Sequence, residues 1–524
     1  MSFARVYSAQ THLLRGKVVT VEVDITKNTL HTFTLVGLPD KAVGESKDRM
    51  SSALKNSGYL SPKNQNQKVV ISLSPAELKK EGPYFDLAIA LAYLLSADEI
   101  DFDPKDRIFL GELSLNGEIQ PLNGILPLTQ EAKKQGFKEI FVPYKNAKEA
   151  ACVSGITVYG CKTLKEVIEH IYKIKHDKQG NPLEKERPKI IPTEETQIQK
   201  KNKKYDIDFS DIKGQEGAKR GLEIAAAGGH NIALSGPPGT GKTMLARVFS
   251  HLLPELDNED ILEITGIHSV VGMLEESLIT EPPFRAPHHT ASYVSMIGGG
   301  ANVKPGEVTL AHKGVLFLDE FPEFEKKVLE AMRQPLEDNI VSISRARGSA
   351  IFPSNFILVA AMNPCPCGNK GNKDKKCICK PYDLDRYNRK ISGPIIDRID
   401  MWVTVSNVDY NKLSDETMSG EETQTIKDRV SSARQKQNTR FKNAPRKIKT
   451  NSDMNAKDLN IYAKLEESVV QLLNTSATKL ALSARAYHRV IKLARTIADL
   501  ENSDNITENH ILEALQYRPR INTQ

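Results

Sequence analysis

"NIALSGPPGTGKTMLARVFSHLL", residues 231–253, decides the fold. A short apolar run leads into Gly236-Pro237-Pro238-Gly239-Thr240-Gly241-Lys242-Thr243, and an apolar-periodic helix follows. Strand, glycine-rich turn and helix in that order form a phosphate-binding loop, a context that a chance glycine-rich turn would lack. Glycines let successive backbone N–H groups wrap phosphates at a helix start, where the helix dipole also favours negative charge. Lys242 is placed to reach the terminal phosphates of ATP, and the Thr243 hydroxyl to hold Mg²⁺.

Downstream, GVLFLDE (314–320) is the companion such a loop needs. Its apolar residues make a buried strand that delivers Asp319 and Glu320 to the carboxyl edge of a sheet, where α/β folds bind ligands. Asp319 is expected to hold Mg²⁺ through water, and Glu320 to orient and deprotonate the attacking water. Such a run can also simply end an ordinary strand; behind a phosphate loop the catalytic reading is preferred.

The chain has 524 residues, 39% hydrophobic and 26% charged, which suits a soluble protein of about three or four domains. MSFARVYSAQ carries no signal pattern and no apolar run reaches membrane-spanning length, so a cytoplasmic protein without membrane partners is expected. The net charge of +6 leans mildly towards polyanions. No repeat of solenoid period occurs. Residues 176–204, charged and almost free of aromatics, read as a solvated linker after a domain spanning 1–175. Over 205–408, strand-like runs (NIALS, VLFLD, FILVAAMN) alternate with helical stretches, the pattern of a mostly parallel α/β sheet. From 409 to 524 helical spacing prevails.

Together with AAMNPCPCG, SGPIIDRID and LSARAYHRVIKLARTIADL, the two motifs resemble those of AAA+ ATPases of the magnesium-chelatase-like class, and more narrowly the ComM/YifB family. The resemblance runs over about residues 1 to 520 in the family's order. It implies an α/β AAA+ core with a parallel sheet and helical lid, plus an amino-terminal α+β Lon/S5-like domain. It implies that Asn363 is sensor 1, between the acidic strand and the γ-phosphate. Arg398 would be an arginine finger supplied to a neighbouring subunit, and Arg485 sensor 2, acting in its own subunit or across the interface. Each arginine could instead sit in a surface ion pair. A finger in trans requires a ring, and the family implies a homo-hexamer.

The amino-terminal domain resembles that shared with Lon protease and ribosomal protein S5. Tyr84 stands where Lon has its nucleophilic serine, and Leu126 where its lysine should be, so no nucleophile–base pair remains. A scaffold, or a module binding DNA or a partner, is expected instead.

NIVSISRARGSAIFPSNF (339–356) reads as a hairpin turning around Gly348-Ser349, with Val341, Ile343, Arg345 and Arg347 on one face. The two arginines could contact a phosphate backbone, or mark a solvated tip. In 282–307, adjacent His288 and His289 would point to opposite faces of an extended segment and make a poor metal pair; the stretch is read as a channel or interface loop, or a structural turn. The basic run 427–449 could bind nucleic acid or form a solvated helix face.

Of six cysteines, Cys365, Cys367, Cys377 and Cys379 fall directly behind Asn363. Two close pairs can close a tetrahedral Zn²⁺ site, although C-x-C is tighter than the usual spacing. Free or reversibly oxidised thiols, or catalysis, are the alternatives. Cys152 and Cys161 read as ordinary core or surface residues. The sum is an ATP- and Mg²⁺-dependent DNA motor. The family implies helicase activity and branch migration of recombination intermediates, single-stranded or branched, in natural transformation. One rival is a chelatase-type ATPase that remodels a protein or metal-insertion partner; a second, a nucleotide-gated assembly scaffold, is disfavoured by intact Asp319, Glu320 and Arg398.

Overall fold

The computed structural model describes residues 3–173, 188–198, 205–300, 303–345, 348–371, 375–407 and 420–519. They divide into two compact units, one built from residues up to 200 plus 258–280, the other from 201–257 and 281 onward.

In the first unit, alternation writes the sheet. Arg15–Lys27 buries Val19, Val21, Val23 and Ile25 on one face and leaves the residues between them more open. It pairs antiparallel with Phe3–His12 and Gln67–Ser74, and Thr32–Val36 adds parallel at the edge. Helix Asp86–Ser96 is apolar almost all round and buried all round. A second, parallel sheet joins Arg107–Phe109, Glu139–Pro143 and Thr157–Cys161. Helix Asn258–Val271 belongs to this unit and lies against helix Ile125–Lys134, with Ser269 Oγ accepting from Gly124 N at 3.0 Å. By sequence it falls inside 205–408, and its periodicity cannot say which neighbour its apolar face meets.

Within 176–204, the described residues 188–198 are mostly exposed and tie back to the first unit at a few points. Thr193 N donates to Val158 O (2.8 Å), Thr196 N donates to Ala151 O (3.0 Å), and Ile190 is buried.

The second unit is organised by a five-stranded parallel sheet in the order Phe284–Arg285, Val315–Leu318, Ile357–Met362, Ile232–Ser235, Met401–Thr404. Val315–Leu318 is buried throughout, as expected of a parallel strand covered on both faces. Helices Glu216–Gly228 and Lys242–Leu252 flank the sheet's core, and the apolar cluster continues into helices Thr423–Phe441, Glu467–Lys479, Ala484–Leu500 and Glu508–Gln516. Helix Ala484–Leu500 starts at Ser483, whose side chain accepts from Ala486 N, and turns Val490, Leu493, Ala494 and Ile497 inward.

The hairpin is present but turns earlier than expected. Ile340–Arg345 pairs with Gly348–Pro353, and the register closes at Arg345 opposite Gly348 rather than around Gly348-Ser349. Val341 and Ile343 are buried on one face.

Candidate nucleotide-binding site

The parallel sheet brings the phosphate loop and the acidic strand together at its carboxyl edge. Gly239 and Gly241 take φ of 79° and 82°, a left-handed conformation that turns the loop into helix Lys242–Leu252. Gly236 has no room for a side chain, because a Cβ would lie 2.2 Å from Val405 O. Lys242 is buried, and its amine donates to Gly236 O and Pro237 O (both 2.8 Å) and to Asn363 Oδ1 at 3.2 Å. Burial lowers its pKa, against the pull of the Asp319 charge. Thr243 Oγ1 donates to Asp319 Oδ2 at 3.0 Å, so the two groups expected to hold Mg²⁺ already face each other. Hard oxygen donors in this pairing fit that ion, which when bound offsets phosphate charge.

Glu320 leaves the strand with φ of 50°, in the left-handed region that non-glycine residues adopt at a cost. Its N–H donates to Asp319 Oδ1 at 2.9 Å, while its half-exposed carboxylate lies 3.0 Å from His289 Nδ1. His288 and His289 do not point to opposite faces. Their ring centroids lie 4.2 Å apart, because Ala291 N returns to His288 O (2.9 Å) and turns the chain there.

Asn363 follows strand Ile357–Met362, and its carbonyl accepts from the buried Tyr387 hydroxyl at 3.1 Å. Behind it the cysteines converge. Cys365 Sγ is 3.4 Å from Cys367 Sγ and 3.8 Å from Cys377 Sγ, and the ligand atoms of all four, Cys379 included, lie within 4.8 Å of one another. A tetrahedron with Zn–S near 2.3 Å needs sulfur separations of about 3.8 Å. Backbone N–H groups of Asn369 and Ile378 pull the Cys367 thiol down to about 6, towards the thiolate a metal takes. Gly368, in the same loop, lets the knot close on the phosphate loop, since a Cβ there would sit 2.6 Å from Pro238 Cδ. Cys152 and Cys161 lie in the first unit, and burial raises both thiols, Cys152 to about 11.

Arg398 and Arg485 meet on one carboxylate. Arg398 Nη2 and Arg485 Nη2, the latter at 2.5 Å, donate to the two oxygens of Glu337. Burial works to raise that carboxyl, yet the Arg398 hydrogen bond and the Arg485 charge hold it below its usual range. One turn beyond Arg485, Arg489 donates to Asp397 O (2.5 Å) and Ile399 O (2.7 Å), fixing the backbone on either side of Arg398. Glu337, Tyr387 and Arg489 escape sequence reading, and His289 is read there only as part of a channel or interface loop. Only Arg489 carried a signal, its spacing of one helical turn from Arg485.

Of the hairpin arginines, Arg345 closes the strand register, and Arg347 lies outside the described residues. The basic run 427–449 is largely used up by the fold. Arg429 pairs with Glu223 (2.6 Å) and Glu421 (2.8 Å), the half-buried Arg434 donates to Ala226 O (2.8 Å), and Arg440 and Arg446 pair with Asp499 and Asp458. Carboxylates distant in sequence decide this, and a local charge count cannot see them.

Residues 208–413 match the family described as magnesium chelatase, subunit ChlI; residues 21–146 and 420–518 match the ChlI-subunit and ChlI carboxyl-terminal families. The chain is 41% identical over 521 residues to YifB of Escherichia coli, covering 99% of this chain and 97% of that protein. The chain belongs to the ComM/YifB family. Competence protein ComM of Haemophilus influenzae is 39% identical over 523 residues, 99% of this chain and 98% of ComM. This ComM/YifB-family chain therefore has the AAA+ magnesium-chelatase-like fold, an ATPase fold, with a Lon-related amino-terminal region. Lon protease 2 of Bacillus subtilis is 31% identical over 98 residues, 18% of each chain. In this family member Tyr84 OH bonds Thr11 Oγ1 at 3.0 Å, and Leu126 is fully buried. Among the described residues no helix is long and apolar enough to cross a membrane.

Proposed function

We propose that this protein is a homo-hexameric ATP-driven motor acting on DNA, a helicase that drives branch migration of recombination intermediates during natural transformation in the cytoplasm. The observation that carries the ATP-driven part is the convergence of Lys242, Asn363, Thr243, Asp319 and Glu320 at one sheet edge. Lys242 neutralises the terminal phosphates, Thr243 and Asp319 hold Mg²⁺, Asn363 positions the γ-phosphate beside Lys242, and Glu320 takes a proton from the attacking water. Arg398 completes a neighbour's site and Arg485 senses the phosphate. The amino-terminal domain is non-proteolytic, a scaffold or a module that binds DNA or a partner.

DNA as the polymer is supported by the competence protein ComM among the relatives, by a 34% identity over 108 residues to the DNA repair protein RadA of Streptococcus pneumoniae, and by the arginine-bearing hairpin. That stretch spans 21% of this chain and 25% of RadA. ATP hydrolysis with and without single-stranded and branched DNA tests the reading. Stimulation is expected, and neutralising Arg345 and Arg347 together should remove it while flattening the slope of log affinity against log salt by about one to two. A chelatase-type remodeller, which the family descriptions also suggest, shows neither effect.

The cysteine knot is proposed to hold about one structural Zn²⁺ per chain, supported by the clustering of its four sulfurs. Elemental analysis of protein purified without chelator decides this. Zinc near zero, or zinc retained after Cys365→Ser, removes the site.

A further inference from the structure

Helix Arg333–Asp338 stands between the hairpin and the two arginines. On one side, Gln334 grips the first hairpin strand twice. Its Nε2 donates to Ser342 Oγ and its Oε1 accepts from Ser342 N, both at 3.1 Å. At the helix end Asn339 turns with φ of 56°, and its carbonyl accepts from Ser354 N at 2.9 Å, closing the hairpin's base. On the other side the same short helix offers Glu337 to Arg398 and Arg485. Arg333 reaches Ser392 Oγ, which precedes the turn carrying Arg398, at 3.4 Å.

We propose that Glu337 is a positioning residue that holds Arg398 and Arg485 together while no phosphate engages them. Through Gln334 and Ser342 it makes their release depend on the position of the hairpin. This rests on the reading of Arg398 as a finger and of the hairpin as the polymer contact. A guanidinium has a planar fork suited equally to carboxylate and phosphate, so Glu337 and a γ-phosphate compete for the same donors. Glu337 and Arg485 are both nearly half exposed, and solvent screening keeps their pairing weak enough for a phosphate to displace it. A load that shifts the hairpin carries the helix with it, because two hydrogen bonds and the helix–strand junction leave little play between them. Both arginines are then freed by one movement.

The test uses the full-length protein. Glu337→Gln keeps the side chain's size and removes its charge. Its ATP hydrolysis without DNA is expected to rise at least about fivefold, the low end of ordinary coupling between sites. The stimulation by DNA should shrink by the same factor. Glu337→Asp, which keeps the charge, should stay near the parental rate. A residue of merely structural importance gives the opposite pattern, a lower basal rate. Gln334→Ala should leave basal hydrolysis at the parental level and reduce only the stimulation. A parental or lower basal rate in Glu337→Gln protein that binds ATP normally overturns the proposal. Full stimulation in Gln334→Ala removes the link to the hairpin. If the parent itself shows no DNA stimulation, the motor reading fails, while the basal rate of Glu337→Gln still decides whether Glu337 restrains the arginines.

Discussion

In the amino-terminal unit, Glu149 is buried and both its oxygens are taken. Oε1 accepts from Leu126 N (2.8 Å) and from Ser269 Oγ, and Oε2 from Asn146 Nδ2 (3.0 Å). In the second unit, Asp319 accepts from Thr243 and Glu320, yet Glu320 keeps a half-exposed carboxylate and Lys242 donates to the loop's own carbonyls. The first cluster includes the backbone of Leu126, which stands where Lon has its lysine, and the second is the phosphate-loop site. The first is closed on itself, each carboxylate oxygen of the buried Glu149 bonded to a group of the fold. The second holds charges that a phosphate and a cation can satisfy better than their present partners do. An open valence, more than burial or charge, separates the site from the scaffold.

The largest effect that can break this contrast comes from the open cluster. Lys242→Ala and Glu320→Gln should each reduce ATP turnover to background, with Glu320→Gln still binding nucleotide, because one removes the phosphate contact and the other only the base. Fluorescent-nucleotide binding beside steady-state hydrolysis checks the split. Parental turnover by either variant would remove this cluster from consideration.

Arg398→Ala should follow, with hydrolysis down about 10³-fold or more and ATP binding largely intact, since a finger acts in the transition state. Mixing it with Lys242→Ala protein sharpens the contrast, because the two defects lie in different parts of a shared site. If Arg398 acts in trans, mixed rings contain some interfaces with both groups intact and regain activity. No recovery in confirmed mixed rings assigns Arg398 to its own subunit.

How much of this was legible in sequence follows the same division. The phosphate loop, the acidic strand and the cysteine pairs are local patterns, and their close approach needs only a parallel sheet with the strands in the usual place. Asn363 is legible through a resemblance, and its Oδ1 lies 3.2 Å from Lys242 Nζ. What escaped was decided by partners far along the chain. Glu337 looks like any helix-end glutamate until Arg398 and Arg485 arrive from two other elements. The basic run 427–449 reads as a polyanion surface or a solvated helix face, and sequence cannot show that Glu223, Asp499 and Asp458 pair with its Arg429, Arg440 and Arg446. Helix Asn258–Val271 reads as part of the ATPase core until its Ser269 is found on Gly124 and Glu149.

The smallest effect belongs to the closed cluster and is read in stability. Burial raises the Glu149 carboxyl, and the hydrogen bonds from Ser269, Asn146 and Leu126 only partly oppose it. A folded-state pKa above the unfolded value means the fold holds the proton more tightly than the open chain does. The resulting stabilisation is complete below the ordinary glutamate range and is lost as pH rises through the raised folded value. Glu149→Gln is neutral at every pH and keeps one acceptor, so it cannot follow that change. Its cost, about 1–3 kcal/mol for disturbing a buried hydrogen-bonded group, should therefore be largest in acid and shrink towards neutral pH. Denaturant melts of parent and variant from acid to neutral pH measure the difference, and ATP hydrolysis should not change. A pH-independent difference would mean that burial does not govern Glu149. A fall in ATP turnover without a loss of stability would mean that the closed cluster takes part in the chemistry, and the contrast between the two clusters would collapse.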